Sequence, residues 1–258
     1  MTASDELRVD MHVKALDERV VRRAKDRGLD ALVYAPHFTR LPDVEAAAKR
    51  YSDDELTVVP AREVFTGSWR NRRHVLALGL TDPVPDFVTL DGAMDAFARQ
   101  DATVLVPHPD FLNVSLDEAA IQRHRETITG VETYNPKVTN RGNRRAAAVA
   151  ARQNLRTFGS SYAHRWKTVG EVWTAFDRAD LDGAVTAESL AAALKAGVER
   201  RVGHRTGLAH AARRFAERVH LGWENTWEKV DRLFLSGTEP THPDHIAYDG
   251  RFDDVAVY

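Results

Sequence analysis

Six residues of metal-ligand type lie at the edges of short apolar runs in this sequence. They are His12, His37, Glu63, His74, His108 and His164, beside the runs LRVDMH, DALVYAPH, LTVVPARE, HVLALGL, TVLVPH and RTFGSSYAH. Apolar runs of this length predict buried strands. In an α/β barrel the carboxyl ends of the strands share one rim. We therefore expect these side chains to converge there, where imidazole and carboxylate suit a catalytic divalent metal.

The composition is that of an ordinary globular protein, and it excludes several kinds of chemistry. The chain has 258 residues, 43% of them hydrophobic, and its net charge of −2 creates no general attraction to nucleic acids or membranes. The absence of cysteine excludes disulfides, thiolate ligands and a cysteine nucleophile. No apolar stretch reaches the roughly 18 residues of a transmembrane helix. The acidic start, MTASDELRVD, is unlike a signal peptide, so we expect a cytoplasmic protein without a membrane partner.

Apolar runs alternate with helical patterns along most of the chain, as in proteins built from βα units. The spacing predicts strands at residues 7–11, 30–35, 56–60, 75–80, 103–106, 130–134, 156–159 and 172–176. It predicts helices at residues 17–27, 44–51, 91–100, 116–127, 141–154 and 187–196, the first ended by Gly28. Seven or eight strands suffice to close a barrel, and the alternation favours a parallel sheet.

The character of the sequence changes after residue 196. Basic side chains become frequent between residues 195 and 218, helices are predicted at residues 208–221 and 224–234, and the remaining tail is rich in turn residues. A segment of this size is marginally stable by itself. We therefore predict a metal-binding barrel at residues 1–196 and a C-terminal helical extension, residues 197–258, packed on that barrel.

The order of these motifs resembles the PHP (polymerase and histidinol phosphatase) superfamily over roughly residues 7–196. The motifs are Asp-x-His ending at His12, strand–His at His37, strand–Glu at Glu63, His before a strand at His74, His108-Pro109, and GSSYAH ending at His164 with Val169-Gly170 after it. The resemblance implies an α/β fold of the distorted, TIM-like (β/α)7 barrel type. It also implies two or three divalent metals and hydrolysis of phosphate esters.

Two departures from the family pattern affect the ligand set. Lys14 stands where the family's first motif, His-x-His, has its second histidine, and Tyr162 stands where its last motif, Asp-x-His, has aspartate. The resemblance then implies a broken first site that retains His12 and Glu63. It implies one complete site, formed by Glu63, His74 and His108. It also implies one partial site, formed by His37 and His164. We expect one to two ions per chain, Zn²⁺ or Mn²⁺ with Fe²⁺ as a further option.

Catalytic roles are predicted for four further residues. Lys14 can supply the positive charge of a missing metal, and the Tyr162 hydroxyl can donate to a phosphoryl oxygen or act as a general acid. The alternative is that the first site was lost and both residues bond to leftover ligands. Arg73 and its neighbours in the loop form either a phosphate clamp or a solvated cluster. Asp10 is expected to orient a histidine.

Three functions remain open from the sequence. The first is a metal-dependent phosphoesterase acting on a small phosphate ester, a nucleotide or an RNA end. The second is a non-catalytic PHP-like barrel that binds RNA, as subunits with degraded ligand sets do in RNase P complexes. The third is a metallohydrolase of C–N or C–O bonds, because a barrel fold does not dictate the substrate. The expected partners are a small-molecule or nucleotide phosphate and, in the second case, RNA, while the oligomeric state is left open.

Overall fold

The computed structural model describes residues 5–109, 114–181, 184–226 and 240–257. The strands in these ranges are β1 (Glu6–Val13), β2 (Ala31–Tyr34), β3 (Thr57–Thr66), β4 (Arg73–Leu78), β5 (Thr103–Val106), β6 (Ile128–Tyr134), β7 (Arg156–Gly159), β8 (Val172–Asp177) and β9 (Arg200–His204). The helices are α1 (Glu18–Asp26), α2 (Leu41–Tyr51), α3 (Leu90–Arg99), α4 (Glu118–Arg123), α5 (Asn140–Arg152), α6 (Ala187–Ala196) and α7 (Gly207–Thr226). No helix in these ranges is long and apolar enough to cross a bilayer.

The strands form one sheet that curls into a nearly closed barrel, in the order β7-β6-β5-β4-β3-β2-β1-β8-β9. Its ends meet where the Thr174 hydroxyl accepts from the Gly159 amide and donates to the Gly159 carbonyl, both at 3.0 Å. Only glycine allows this approach, because a Cβ at residue 159 would lie 2.4 Å from Val202. The predicted α/β barrel is therefore confirmed.

The sheet is mixed, so the prediction of a parallel sheet is wrong in part. β4 runs antiparallel to both β3 and β5, and β8 runs antiparallel to both β1 and β9. The connection between β3 and β4 is only residues 67–72, which is too short for the crossover that a parallel pair requires. The antiparallel turn has a functional consequence: the end of β3 and the start of β4 lie at the same rim.

Alternate residues of β3 and β4 face an apolar core inside the barrel. Val59 and Ala61 on β3 and Leu76 and Leu78 on β4 belong to this core, and Leu190 of α6 packs against them. Successive side chains on a strand point to opposite faces, so positions two residues apart share a face. The interior rows of β3 and β4 therefore continue, toward the rim, into Glu63 and His74.

Most predicted elements are present, with three differences. β3 continues to Thr66, so Glu63 lies within the strand rather than after it. The sheet also continues past residue 196, because β9 pairs with β8. The predicted helix at 224–234 falls largely outside the described residues. The division into a barrel of residues 1–196 and an extension of residues 197–258 stays a prediction.

A buried ion pair fixes the segment of β3 that carries Glu63. Arg62 Nη2 donates to Asp86 Oδ2 at 3.1 Å, and both side chains are almost completely buried. Asp86 Oδ1 also accepts from the Phe65 amide at 2.7 Å, and Arg62 donates to the Thr39 carbonyl. These bonds flank Glu63 on both sides along the strand, so they limit the movement of its backbone.

Replacing Asp86 with alanine should destabilise the fold by about 3–5 kcal/mol, because Arg62 would become a buried charge without its counter-ion. Urea denaturation, which yields the free energy of unfolding, is the measurement. The matched control is Asp82→Ala, whose partner Arg251 is solvent-exposed, and this change should cost about 1 kcal/mol or less. Equal losses for the two variants would contradict the prediction.

Candidate metal centre

Glu63 lies at the centre of the rim and is completely buried. Its Oε2 forms an ion pair with the Lys14 ammonium and lies 2.5 Å from His37 Nε2. Lys14 also donates to the Ala35 carbonyl at 2.6 Å, which ties it to the segment after β2. One oxygen of the carboxylate thus faces an ammonium and an imidazole.

The other oxygen, Oε1, faces three imidazoles. The distances from Glu63 Oε1 are 3.3 Å to His74 Nδ1, 3.3 Å to His108 Nε2 and 3.7 Å to His12 Nε2. All three rings are buried. The predicted convergence of His12, Glu63, His74 and His108 at one rim is therefore observed.

The charges in this cluster favour the ligand forms of its members. Burial by itself would raise the pKa of Glu63, but the Lys14 ammonium and the surrounding histidines hold that pKa well below its usual value. Burial, followed by the charge of Lys14, lowers the pKa of His12 well below that of a free imidazole. Glu63 is then an anion and His12 a neutral base, the forms in which both bind metal ions.

Glu63, His74 and His108 form a donor set that fits a divalent metal. One ligand atom from each lies within 4.8 Å of the others, and all three residues are buried. Two imidazoles and a carboxylate are common zinc ligands and leave room for a water molecule. Nearby, both ring nitrogens of His12 are buried and have no hydrogen-bond partner among the described residues. Buried nitrogens of this kind usually have a partner, and a cation beside Glu63 would provide one.

Comparison with known proteins identifies the architecture. A family model described as PHP-associated matches residues 140–198, which run from α5 to just beyond α6. PsfC from Pseudomonas syringae PB-5123 has a TM-score of 0.61 and 20% identity, covering 84% of this chain and 99% of that one. A two-domain protein from Bacteroides vulgatus ATCC 8482, which contains a predicted PHP-like metal-dependent phosphoesterase, has a TM-score of 0.57 and 17% identity, covering 83% of this chain and 70% of that one. These matches support the resemblance to the PHP superfamily at the level of the fold.

A third solved structure shares the fold in part. Endonuclease Q, solved with a 27-mer duplex substrate carrying an abasic lesion, has a TM-score of 0.51 and 14% identity, and the match covers 76% of this chain and 58% of that one. A search of curated protein sequences finds no match. At these identities the likeness concerns the fold, so the chemistry must be argued from the residues.

His108 is held in position by its backbone and by two neighbours. Its φ of +34° lies in the left-handed region, which a non-glycine residue occupies only when its surroundings hold it there. Its Nδ1 lies 3.0 Å from the Ser115 hydroxyl, and its amide donates to Glu132 Oε2 at 2.7 Å. Burial raises the pKa of Glu132, which also accepts hydrogen bonds from Ser160 and Asn135. Glu132 therefore positions His108, a predicted metal ligand.

Tyr162 occupies the middle of a ring cluster at the same rim. Its ring centroid lies 4.7 Å from that of His12, 5.0 Å from that of His108 and 4.8 Å from that of His164. Its φ is +45°, and only 4% of the residue is exposed. The Lys14 ammonium is 5.7 Å from the ring centroid. Lys14 and Tyr162, the two departures from the PHP pattern, are therefore neighbours in the site.

His37 and His164, the predicted partial site, face each other across the rim. Their ring centroids are 5.8 Å apart. His164 Nδ1 lies within hydrogen-bond distance of the Tyr162 carbonyl, at 3.0 Å, and of the ammonium of Lys137, a residue in the loop after β6. Lys137 did not emerge from the sequence because it follows no apolar run directly. The available signal was its position three residues after the end of a strand that reaches the rim.

Asp10 has a different role from the one predicted. Its carboxylate accepts hydrogen bonds from the Ser161 amide and hydroxyl, at 2.9 and 2.5 Å, and from the Gly170 amide, at 3.0 Å. Burial raises the pKa of Asp10 to about 6. Instead of orienting a histidine ring, Asp10 holds the segment after β7, which carries Tyr162 and His164.

Arg73 points away from the site, contrary to the predicted phosphate clamp. Its guanidinium pairs with Asp117 at 2.7 Å, and Asp117 caps the start of α4. The physical reason is the alternation of side chains along β4. Because His74 faces the barrel interior, its neighbour Arg73 must face outward.

Replacing His108 or His74 with alanine should abolish metal binding, because either change leaves only two of the three donors. Elemental analysis of protein purified without added metal is the measurement. We expect about one or more ions of Zn, Mn or Fe per wild-type chain. His204→Ala, which removes an exposed histidine from β9, is the matched control and should keep its metal. Wild-type protein that lacks metal and gains none on reconstitution would contradict the assignment.

Proposed function

We propose that this protein is a metal-dependent hydrolase, specifically a phosphoesterase that acts on a small phosphate ester. The observation that carries the proposal is the buried cluster of Glu63, His74 and His108, whose donor atoms lie within 4.8 Å of one another. The similarity in fold to a protein that contains a predicted PHP-like metal-dependent phosphoesterase supports a hydrolase. The phosphate ester is supported by the ammonium of Lys14 beside this cluster, because phosphate binds ammonium groups well.

The residues would divide the chemistry as follows. A divalent metal held by the triad would supply positive charge and a water molecule of lowered pKa. Lys14 would neutralise charge on the phosphoryl oxygens as the ester bond breaks. His37, whose Nε2 lies 2.5 Å from the Glu63 carboxylate, would protonate the leaving group.

The burial of the site favours a small substrate. His12 and Glu63 are completely buried, and His74 and His108 are each only 2% exposed. A duplex or a folded RNA would need a wide, open surface to bring its phosphates to these side chains. A small phosphate ester or a mononucleotide fits this degree of enclosure better.

The alternative role, a non-catalytic barrel that binds RNA, loses its main support. The basic segment at residues 195–218 would be its natural contact, since Lys and Arg neutralise phosphates. Several of these side chains instead bond within the molecule: Arg213 to Glu171, and Arg214 and Arg218 to the Val138 carbonyl. They are therefore used to attach α7 to the barrel.

Hydrolysis of 4-nitrophenyl phosphate, followed by absorbance, tests the proposal. We expect turnover by protein loaded with Zn²⁺ or Mn²⁺, none after chelation, and a loss of about 100-fold or more in His108→Ala because the metal is absent. His204→Ala should retain wild-type activity. Activity that survives both chelation and the His108 substitution would contradict a metal-dependent mechanism.

Replacing Lys14 with methionine should lower kcat/KM for the same substrate by about 10- to 100-fold, the effect of one lost charge-assisted contact. Metal content should stay unchanged, because the triad is intact. Lys49→Met, on the outer face of α2, is the matched control. If Lys14→Met is as active as wild type, Lys14 merely fills the space of a lost ligand.

A further inference from the structure

A second ammonium group, that of Lys137, lies buried in the same site. Lys137 is only 2% exposed, although lysine is rarely buried without a counter-ion. Its Nζ lies within hydrogen-bond distance of His164 Nδ1 and 4.3 Å from the ring centroid of Tyr162. Lys14 and Lys137 therefore both contact the Tyr162 ring, within the ring cluster that also contains His12 and His108.

The counter-ion of Lys137 comes from the C-terminal helix. Glu217 on α7 is completely buried, and its Oε2 lies 3.2 Å from Lys137 Nζ. Its other oxygen, Oε1, accepts from the Thr168 hydroxyl at 2.6 Å. The orientation of the Lys137 ammonium thus depends on a residue about 80 positions later in the chain.

The same helix also fixes the loop that carries Lys137. Arg218 donates to the carbonyls of Lys137 and Val138, at 3.1 and 3.0 Å. Arg214 donates to the carbonyls of Pro136 and Val138, at 3.1 and 3.2 Å. Three consecutive carbonyls of this loop are thus bound by two arginines of α7, so the backbone of Lys137 is held as firmly as its side chain.

Stability alone gives little reason for this pair. A buried ion pair pays a desolvation penalty that often exceeds its Coulombic gain, and apolar replacements of both partners are frequently neutral or stabilising. This pair lies against His164 and Tyr162, in a site where charged groups cluster. A role in binding an anion explains that position better. Ammonium groups bind phosphate as point charges.

We propose that Lys137 binds a phosphoryl oxygen of the substrate together with Lys14, and that Glu217 is the positioning residue that directs the Lys137 ammonium into the site. This inference rests on the function proposed above and makes α7 a part of the active site. It also specifies the substrate as a phosphate monoester.

The charge balance gives the reason for a monoester. Glu63 pairs with Lys14, and Glu217 pairs with Lys137, so the two pairs together carry no net charge. A divalent metal on the triad would then add two positive charges. A phosphate monoester is close to a dianion at neutral pH, whereas a diester carries a single negative charge and would leave one positive charge unbalanced.

Titration of metal-loaded protein with inorganic phosphate, measured by calorimetry, tests the role of Lys137. The double variant Lys137→Met/Glu217→Gln removes both buried charges and avoids leaving one unpaired. We expect its dissociation constant for phosphate to rise about 10-fold or more, with unchanged metal content and an unchanged unfolding midpoint. Lys167→Met, which removes an exposed lysine from the loop before β8, is the matched control and should bind phosphate like wild type.

Two further variants test the positioning role and the monoester. Lys137→Arg keeps a cation and should recover part of the phosphate affinity. If the role of Lys137 were purely structural, the retained charge of the arginine variant would give it no higher phosphate affinity than the methionine variant. Glu217→Gln should raise KM for 4-nitrophenyl phosphate more than it lowers kcat. Wild-type protein should hydrolyse this monoester faster than bis(4-nitrophenyl) phosphate, and the reverse preference would overturn the monoester assignment.

The outcomes separate this inference from the proposed function. Equal phosphate affinity in wild type and the double variant overturns the role of Lys137, while metal-dependent hydrolysis by wild type would leave the proposed function standing. Failure of the wild-type protein to bind phosphate would also overturn the role of Lys137. Phosphate binding that depends on Lys137, in a protein that hydrolyses no ester, would overturn the proposed function alone.

Discussion

The attraction between one buried carboxylate and the cations and imidazoles around it organises this protein. Glu63 is completely buried, and a carboxylate in that position is costly unless positive or polar groups compensate for it. Lys14 and His37 approach one of its oxygens, while His12, His74 and His108 approach the other. They lie at the rim ends of four strands, β1, β2, β4 and β5, so the barrel must close around Glu63 for the charge to be satisfied.

The surrounding structure restricts the freedom of this cluster. The Arg62–Asp86 pair fixes the strand that carries Glu63, and Asp10 fixes the segment after β7 that carries Tyr162 and His164. Glu132 holds the backbone of His108. These are buried polar groups whose bonds go to backbone or to small side chains. Such networks favour a single arrangement, which is what a metal or phosphate site needs.

The sequence predicted which side chains converge at the rim because strand periodicity and residue type are local signals. His12, Glu63, His74 and His108 each follow or begin an apolar run, and the alternation of β3 and β4 brings Glu63 and His74 to one face. The same alternation should have assigned Arg73 to the outside. Arg73 is adjacent to His74 in the chain, but the parity of its position on β4 places it on the opposite face.

What the sequence could not predict depends on contacts between distant segments. Lys137 is in a loop without periodicity, and its partner Glu217 lies on a helix whose basic composition suggested binding to RNA. Arg214 and Arg218 instead donate hydrogen bonds to carbonyls of the Lys137 loop, and only the fold shows these contacts. β9 was missed for a similar reason: the sequence RRVGH offers a single apolar residue, and its pairing partner β8 lies about 25 residues earlier.

The position of the triad along the chain has a consequence for biosynthesis. Glu63, His74 and His108 all lie within residues 57–108, on β3, on β4 and just after β5. A ribosome therefore synthesises all three donors before it makes β6 and the rest of the chain. Metal binding stabilises whatever fold brings its ligands together, so an ion taken up at that stage would hold the first half of the barrel in register. The Lys137–Glu217 pair, in contrast, forms only after α7 has emerged, which makes it the last part of the site to assemble.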